Sequence, residues 1–288
     1  MIKLLALDLD GTLLDSRGQI PEANKQAIRQ AEERGVLVTF ATGRRFRDAR
    51  PAALEVGFNA PIVTHNGALL KYADSLEMVA SSILKTETVL EILRVGAALG
   101  GDALVSIDPA GKGTLLYDTV SEENVPLQKY IEWSRRMHGP EAEDSVVHVP
   151  NLSEAAARAE VVHISYSGAC RQMFEMQQFL ESELGGTVNI LATIYTRLDF
   201  TLLDILPPDA SKATGLHKLA SINNLSHENV MAVGDNYNDL EMLEYAGTAV
   251  IMGNAAPELL EREDFYATLS NDENGVALAI EKYILGRE

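Results

Sequence analysis

The sequence predicts an α/β fold in which a parallel sheet forms one domain and a second α/β domain is inserted into it. Three features indicate this: short apolar runs without alternation, helical segments between them, and a central stretch with a different order of elements. Unbroken apolar runs are typical of strands that are buried on both faces. A chain of 288 residues also favours about two domains, because single cores seldom grow beyond roughly 250 residues.

The first domain is predicted from strands and the helices that connect them. Its predicted strands are 2–7, 36–41, 61–64, 230–233 and 248–252. A helix is predicted over 21–34, because apolar residues recur there at helical spacing, with Pro21 near its start and Gly35 just beyond its end. Helices over 210–222 and 238–245 each precede a further strand. This alternation predicts parallel crossovers.

Residues 85–206 interrupt that pattern. The predicted elements there are helix 89–99, a hairpin of 103–107 and 114–117, helix 127–137, strand 146–149, helix 153–159, strand 161–166, helix 171–184, and strands 188–194 and 200–206. Their order is αββαβαβαββ, and residues 139–144 between them predict a surface loop. The expected domains are therefore 1–84 and 207–288 for the core, with 85–206 as the insertion.

Composition excludes several classes of function. The net charge of −18, from 42 acidic and 24 basic residues, opposes binding to nucleic acid or to anionic membranes. No apolar run approaches the roughly 20 residues that span a bilayer, and the N-terminus lacks a secretory pattern. The single cysteine rules out an intramolecular disulfide framework and a Cys-rich zinc site. We therefore expect a soluble, cytoplasmic protein.

Two acidic residues, Asp8 and Asp10, follow the first predicted strand directly. Alternate residues of a strand point to the same face, so these carboxylates are expected to lie close together and repel each other. Taken alone, D-L-D-G-T fits a turn as well as a site, since Gly11 and Thr12 supply turn chemistry.

Polar residues also follow the other predicted strands, as T-G-R at 42–44, H-N-G at 65–67, G-D-N-Y-N-D at 234–239 and M-G-N-A at 252–255. Ligands of open parallel sheets bind outside the carboxyl ends of the strands. Asp8 and Asp10 can coexist there if a divalent cation lies against them and Asp235 completes an oxygen-rich site. Mg²⁺ prefers such ligands, and the six histidines show no ligand spacing. Lys212 supplies positive charge, and Thr42 with nearby backbone amides can hold phosphate oxygens.

With these motifs the chain resembles hydrolases of the haloacid dehalogenase superfamily of the Cof type, subclass IIB, over essentially its whole length. The four superfamily motifs occur in order, as D-x-D-G-T at 8–12, Thr42 in T-G-R, Lys212 in S-K-A, and G-D-x-x-N-D at 234–239. The Cof-type stretches H-N-G-A, M-G-N-A and S-N-D-E-N-G-V-A at 270–277 also match. One departure is Ala213, where relatives often carry glycine. The resemblance implies a Rossmann-like core with a large α/β cap.

The same resemblance implies roles for the two acidic residues of the first motif. Asp8 would attack phosphorus to give an aspartyl phosphate. Asp10 would protonate the leaving alcohol, activate water and offer its backbone carbonyl to Mg²⁺. The metal ligands would be Asp8, Asp10 and Asp235.

Further residues have roles with alternatives left open. The resemblance has Asn238 and Asp239 support the metal or Lys212, although Asn238 could merely cap the following helix. Lys212 itself could be an exposed lysine. Gly43, Arg44, Asn66 and Gly67 are assigned to substrate binding, while Arg44 fits a surface ion pair equally well. His65 is more typical of a packed polar residue than of an acid or base.

These features predict a Mg²⁺-dependent phosphatase for a small soluble phosphomonoester, such as a sugar phosphate or a phosphorylated cofactor, with no nucleic-acid or membrane partner. A phosphomutase shares all four motifs and differs only in its products. A phospho-accepting signalling domain is a second alternative, but Asp10 and the long insertion argue against it. The substrate and the oligomeric state stay open.

Overall fold

The computed structural model describes residues 1–287. Contacts divide the chain into two compact units. The first contains Met1–Arg44, Ala49–Ala80 and the chain from Ser211 onward, and the second contains Arg45–Asp48 and Ser81–Ala210. Residues 45–48 fall within the predicted first core segment but belong to the second unit, because Arg45 donates to Ser134 and Asp48 accepts from Tyr130.

The strands, in chain order, are β1 Leu4–Leu7, β2 Leu37–Phe40, β3 Ile62–Thr64, β4 Leu69–Lys71, β5 Met78–Ser81, β6 Asp102–Ile107, β7 Thr114–Tyr117, β8 Val146–His148, β9 Val161–Gly168, β10 Asn189–Tyr195, β11 Phe200–Leu206, β12 Val230–Gly234, β13 Thr248–Ile251 and β14 Tyr266–Ala267. The α-helices are α1 Glu22–Glu33, α2 Phe46–Val56, α3 Thr86–Ala98, α4 Val125–His138, α5 Ala142–Ser145, α6 Leu152–Ala156, α7 Cys170–Leu184, α8 Lys212–Ile222, α9 Leu240–Tyr245, α10 Pro257–Leu260 and α11 Gly275–Ile280. Among the described residues, no helix is long and apolar enough to cross a membrane.

The first unit contains a five-stranded parallel sheet in the order β14-β13-β12-β1-β2. In β1, Leu4 pairs with Leu37 on one side and with Val230 on the other. All four residues of β1 are fully buried, which explains why its sequence does not alternate between apolar and polar residues. The predicted α/β fold with a parallel core is confirmed.

Strand β3 differs from the expectation that 61–64 would be a full strand of this sheet. It forms a separate sheet with β4 and β5, and a bridge between Ala41 and Val63 joins it to the chain after β2. The extended backbone ends there, because His65 and Asn66 adopt left-handed conformations with φ of 51° and 49°. The Asn66 N–H donates to the Thr42 carbonyl at 3.0 Å, so the T-G-R and H-N-G segments lie side by side.

The second unit has a six-stranded sheet in the order β10-β11-β9-β6-β7-β8. Its order of main elements is the predicted αββαβαβαββ. The main core of this unit includes Ile92 of α3, Met176 of α7 and Tyr166 of β9, all buried. The loop predicted over 139–144 was wrong: Gly139–Glu141 is a 3-10 helix and Ala142–Ser145 is α5. The Ser145 hydroxyl donates to the Ala142 carbonyl at 2.8 Å within that turn.

Candidate active site

The loop after β1 brings two motifs together at the carboxyl end of the sheet. Asp8 follows the last residue of β1 and is 5% exposed. Gly11 has a φ of +83°, and a Cβ there would overlap the Asp235 carboxylate, so only glycine allows this close approach. Thr12, also buried, donates from its hydroxyl to Asp235 Oδ1 at 3.0 Å. The loop thereby holds the first carboxylate of G-D-N-Y-N-D.

Three carboxylates form a compact cluster at this edge. Oxygen atoms of Asp8, Asp235 and Asp239 all lie within 4.8 Å of one another. Asp239 is fully buried, and its Oδ2 accepts from the backbone N–H groups of Asp235 at 3.0 Å and Asn236 at 3.1 Å. These bonds fix the turn after β12, so that Asp235 faces the end of β1.

Lys212 bridges two members of the cluster. Its Nζ donates to Asp8 Oδ1 and to Asp239 Oδ1, both at 2.6 Å, and the residue is 2% exposed. The lysine is the first residue of α8, whose start is capped by the Ser211 side chain. Gly67 has a φ of +92°, and a Cβ there would overlap the Ser211 carbonyl. The H-N-G turn therefore packs directly against the start of the helix that carries Lys212.

The cluster carries more negative charge than Lys212 balances. Burial, followed by the neighbouring Asp239, raises the pKa of Asp8 well above its usual value. The same two causes raise the pKa of Asp235 to about 6. Although burial opposes it, the pKa of Lys212 is raised by Asp239 and Asp8. Buried oxygen ligands with excess negative charge are the environment that a hard divalent cation such as Mg²⁺ prefers. Since Asp239 already accepts three hydrogen bonds, Asp8 and Asp235 are the side chains best placed to hold one.

Asp10 lies outside this cluster. Its side chain is 57% exposed and makes a two-point ion pair with Arg44, from Nε to Oδ2 at 2.8 Å and from Nη2 to Oδ1 at 2.5 Å. Of the two alternatives for Arg44, the structure thus displays an ion pair, but its partner is the second acidic residue of the D-L-D-G-T motif. The Arg44 N–H also donates to the Thr42 hydroxyl at 3.1 Å.

The segments assigned to substrate binding pack against each other. Thr42 is 1% exposed, and a Cβ at Gly43 would lie 3.1 Å from Asn66 Oδ1. Asn66 is 3% exposed, and within the described residues its Oδ1 has no hydrogen-bond partner. A buried amide oxygen without a partner is costly in a protein interior. This residue is therefore a candidate to contact a ligand.

The structure adds detail for two residues of these motifs. Asn238 is exposed in the 3-10 turn Tyr237–Asp239, and the residue that caps this turn is Asn236, whose side chain accepts from Tyr237 N–H at 2.7 Å. Thr12 was interpreted only as turn chemistry, yet it binds Asp235. Its place in D-x-D-G-T was the signal that could have identified it.

The fold and the cluster are those of a hydrolase with an acidic site at the carboxyl edge of a parallel sheet. The sequence model of haloacid dehalogenase-like hydrolases matches residues 5–280. The chain therefore belongs to this family, and the prediction of a phosphatase of this family is confirmed.

Similar proteins cover nearly the whole chain. The stress response protein YhaX of Bacillus subtilis is 28% identical over 293 residues, which cover 98% of this chain and 93% of that protein. The 5-amino-6-(5-phospho-D-ribitylamino)uracil phosphatase YwtE of the same species is 27% identical over 317 residues, with 99% of both chains covered. A crystal structure of a haloacid dehalogenase-like hydrolase from Bacteroides thetaiotaomicron is 27% identical with a TM-score of 0.80, over 98% of this chain and 99% of that one.

Proposed function

We propose that this protein is a Mg²⁺-dependent phosphatase that hydrolyses small phosphomonoesters through an aspartyl phosphate on Asp8. The observation that carries the proposal is the buried cluster of Asp8, Asp235 and Asp239 around Lys212. The similarity to YwtE, whose name describes a phosphatase of a small phosphorylated metabolite, supports the substrate class.

In the first half-reaction, a carboxylate oxygen of Asp8 attacks phosphorus, and the bond from phosphorus to the leaving oxygen breaks. Asp10 gives its proton to that oxygen as it leaves. The Lys212 ammonium, at 2.6 Å from Asp8, fixes the orientation of the carboxylate and offsets negative charge near it. Thr42 and the backbone around Gly43 are proposed to hold the phosphoryl oxygens.

In the second half-reaction, water attacks the phosphorus of the phosphorylated Asp8 and gives its proton to Asp10, and the bond from phosphorus to the Asp8 oxygen breaks. Phosphate leaves, and both side chains return to their starting states. The Asp10 side chain is 57% exposed, so it can leave its ion pair with Arg44 and contact a bound substrate. Asp8 is buried, which suits a nucleophile that must be kept away from bulk water.

The proposed metal site consists of Asp8 and Asp235, with the Asp10 backbone carbonyl as a further ligand by family resemblance. Bound Mg²⁺ would neutralise charge on the phosphoryl oxygens and on the cluster. Asn238 and Asp239 are proposed to support this site, Asp239 through its bonds to Lys212 and to two backbone N–H groups. A cytoplasmic location is also proposed, in keeping with one free cysteine, Cys170.

The test is a rapid quench of the protein with labelled aryl phosphate and Mg²⁺, followed by mapping of the labelled peptide. Asp10→Asn should turn over about 10²- to 10⁴-fold more slowly and accumulate label on Asp8, because an aryl leaving group needs little protonation. Asp8→Asn should carry no label, and a chelator should abolish turnover by the parent. Label on another residue would refute the mechanism, and a phosphorylated organic product in place of free phosphate would indicate a mutase.

A further inference from the structure

Two motifs that the proposed chemistry does not use contact the loop after β1. In M-G-N-A, Asn254 Nδ2 donates to the Gly11 carbonyl at 2.9 Å. In S-N-D-E-N-G, Asn271 Nδ2 donates to the Leu14 carbonyl at 2.9 Å. These amides come from 243 and 257 residues further along the chain. Both ends of the turn that follows Asp10 are therefore held by a distant part of the core unit.

The two asparagines are also joined to each other. The Asn271 N–H donates to Asn254 Oδ1 at 3.0 Å, and the Ser16 N–H donates to Asp272 Oδ1 at 2.8 Å. Asn254 thus uses its amide oxygen as an acceptor and its amide nitrogen as a donor. An aspartate cannot do both when ionised, because it has no donor. This double use explains why a neutral amide suits position 254.

The hydrogen bond from Asn254 to the Gly11 carbonyl is close enough to Asp10 to affect the position of its side chain. Gly11 follows Asp10 directly and has a left-handed backbone, so a hydrogen bond to its carbonyl restrains the backbone next to Asp10. The exposed Asp10 side chain is held by its ion pair with Arg44 rather than by packing, so its position depends on the backbone that carries it. Within the loop, the Leu14 N–H donates to the Leu9 carbonyl at 2.9 Å, and the Thr12 hydroxyl donates to Asp235. Of these bonds, the one from Asn254 reaches the carbonyl of Gly11, the residue next to Asp10.

We propose that Asn254, itself held by Asn271, is a positioning residue that fixes the Gly11 turn and thereby places Asp10 for proton transfer. This rests on the proposed function, since it assigns a purpose to Asp10. It predicts an effect that depends on the leaving group. Transfer of a phosphoryl group from an alkyl phosphate needs the proton of Asp10, whereas transfer from p-nitrophenyl phosphate does not.

The experiment compares kcat/KM of Asn254→Ala and the parent on these two substrates, because kcat/KM reports the steps up to the first phosphoryl transfer. We expect a fall of about 10- to 100-fold for the alkyl phosphate, as misplaced catalytic groups typically cause. The fall for p-nitrophenyl phosphate should be below about 3-fold on the same reasoning. Asn271→Ala should likewise lower kcat/KM more for the alkyl phosphate than for p-nitrophenyl phosphate.

The matched control is Asn229→Ala. Asn229 Nδ2 donates to the Met1 carbonyl at 3.1 Å, so this variant loses a similar amide bond at the opposite end of β1 from Asp8. It should leave both values of kcat/KM unchanged. In an Asp10→Asn background, Asn254→Ala should no longer affect the alkyl phosphate more than the aryl one.

An equal fall on both substrates, no fall, or an alkyl-selective fall that persists without the Asp10 carboxylate would overturn the proposal. Amide hydrogen exchange supplies a readout that needs no activity. Residues 11–16 should exchange faster in Asn254→Ala than in the parent or in Asn229→Ala, and unchanged exchange there would also overturn it. If the parent released no phosphate from either ester, the proposed function would fail, while the exchange measurement would still decide whether Asn254 holds the loop.

Discussion

Replacing Asp235 with asparagine should stabilise the metal-free protein at neutral pH while removing a proposed metal ligand. Burial and Asp239 raise the pKa of Asp235 from 3.8 to about 6. The folded protein therefore holds a proton on Asp235 more tightly than the unfolded chain does. The resulting stabilisation is fully present below about pH 4 and is lost as the pH rises through 6.

The magnitude follows from the size of the shift. A change of roughly two pKa units corresponds to about 3 kcal/mol at most. Asp235 is partly exposed, so screening by solvent reduces this to about 1–2 kcal/mol. Asp235→Asn never ionises, and its amide oxygen can still accept from Thr12. At pH 7.5 with a chelator, the variant should therefore be about 1–2 kcal/mol more stable than the parent, which raises Tm by roughly 2–8 °C.

The assay is thermal unfolding at pH 4.5 and pH 7.5 in chelator. The difference in Tm between variant and parent should be much smaller at pH 4.5 than at pH 7.5. Addition of Mg²⁺ at pH 7.5 should raise the Tm of the parent more than that of the variant. Asp15→Asn is a control in which the expected change in Tm has the opposite sign. Hydrogen bonds from Gln19 and Arg17 lower the pKa of Asp15, so loss of the Asp15 carboxylate should lower Tm at pH 7.5. A parent as stable as the variant at pH 7.5, or an equal gain at both pH values, would refute the reasoning.

Two further substitutions test the support of the site and of the second unit. Gly67→Ala should lower both Tm and activity, because its Cβ would overlap the Ser211 carbonyl beside Lys212. The control is Gly18→Ala, where φ is +73° and no atom lies within 4 Å of the added Cβ. This variant should lose about 1–2 kcal/mol of stability and keep its activity. Asp48→Asn should lose about 3–5 kcal/mol in denaturant unfolding, because it leaves the buried Arg45 guanidinium without its carboxylate. Despite burial, the side chains of His138 and Arg45 lower the pKa of Asp48 to about 2, so its stabilisation is present above about pH 4 and fades as the pH falls through 2. Equal effects of the two glycine variants on activity, or an Asp48→Asn variant as stable as exposed Asp74→Asn, would contradict these expectations.

The central strands could be predicted because a strand that is buried on both faces has an unbroken apolar sequence, such as Leu4–Leu7. Helix α2 could not, since it contains Pro51 and starts among charged residues whose burial depends on distant partners. Arg45 and Asp48 are nearly fully buried, and their hydrogen-bond partners include Tyr130, Ser134 and His138 of α4. The local sequence pattern around α2 therefore does not predict these contacts.

The site shows a similar limit. The motifs placed Asp8, Asp235 and Lys212 at strand and helix ends, and those ends meet at one edge because the sheet is parallel. Which carboxylate pairs with which cation depends on turns. The pairing of Arg44 with Asp10 needs the chain beyond β2 and the loop beyond β1 to approach each other, and spacing in the sequence does not encode that approach.

The expectation that Asp8 and Asp10 share one face of a strand does not describe the structure, because β1 ends at Leu7 and its pleat no longer governs the residues that follow. Asp8 is 5% exposed and paired with Lys212, whereas the Asp10 side chain is 57% exposed and paired with Arg44. Each carboxylate thus has its own cation, which relieves the repulsion that the sequence raised. Two carboxylates in such different surroundings are suited to different chemical tasks. In the proposed mechanism, the buried carboxylate attacks and the exposed one exchanges a proton with substrate and water, so the abrupt end of β1 would separate the two proposed roles.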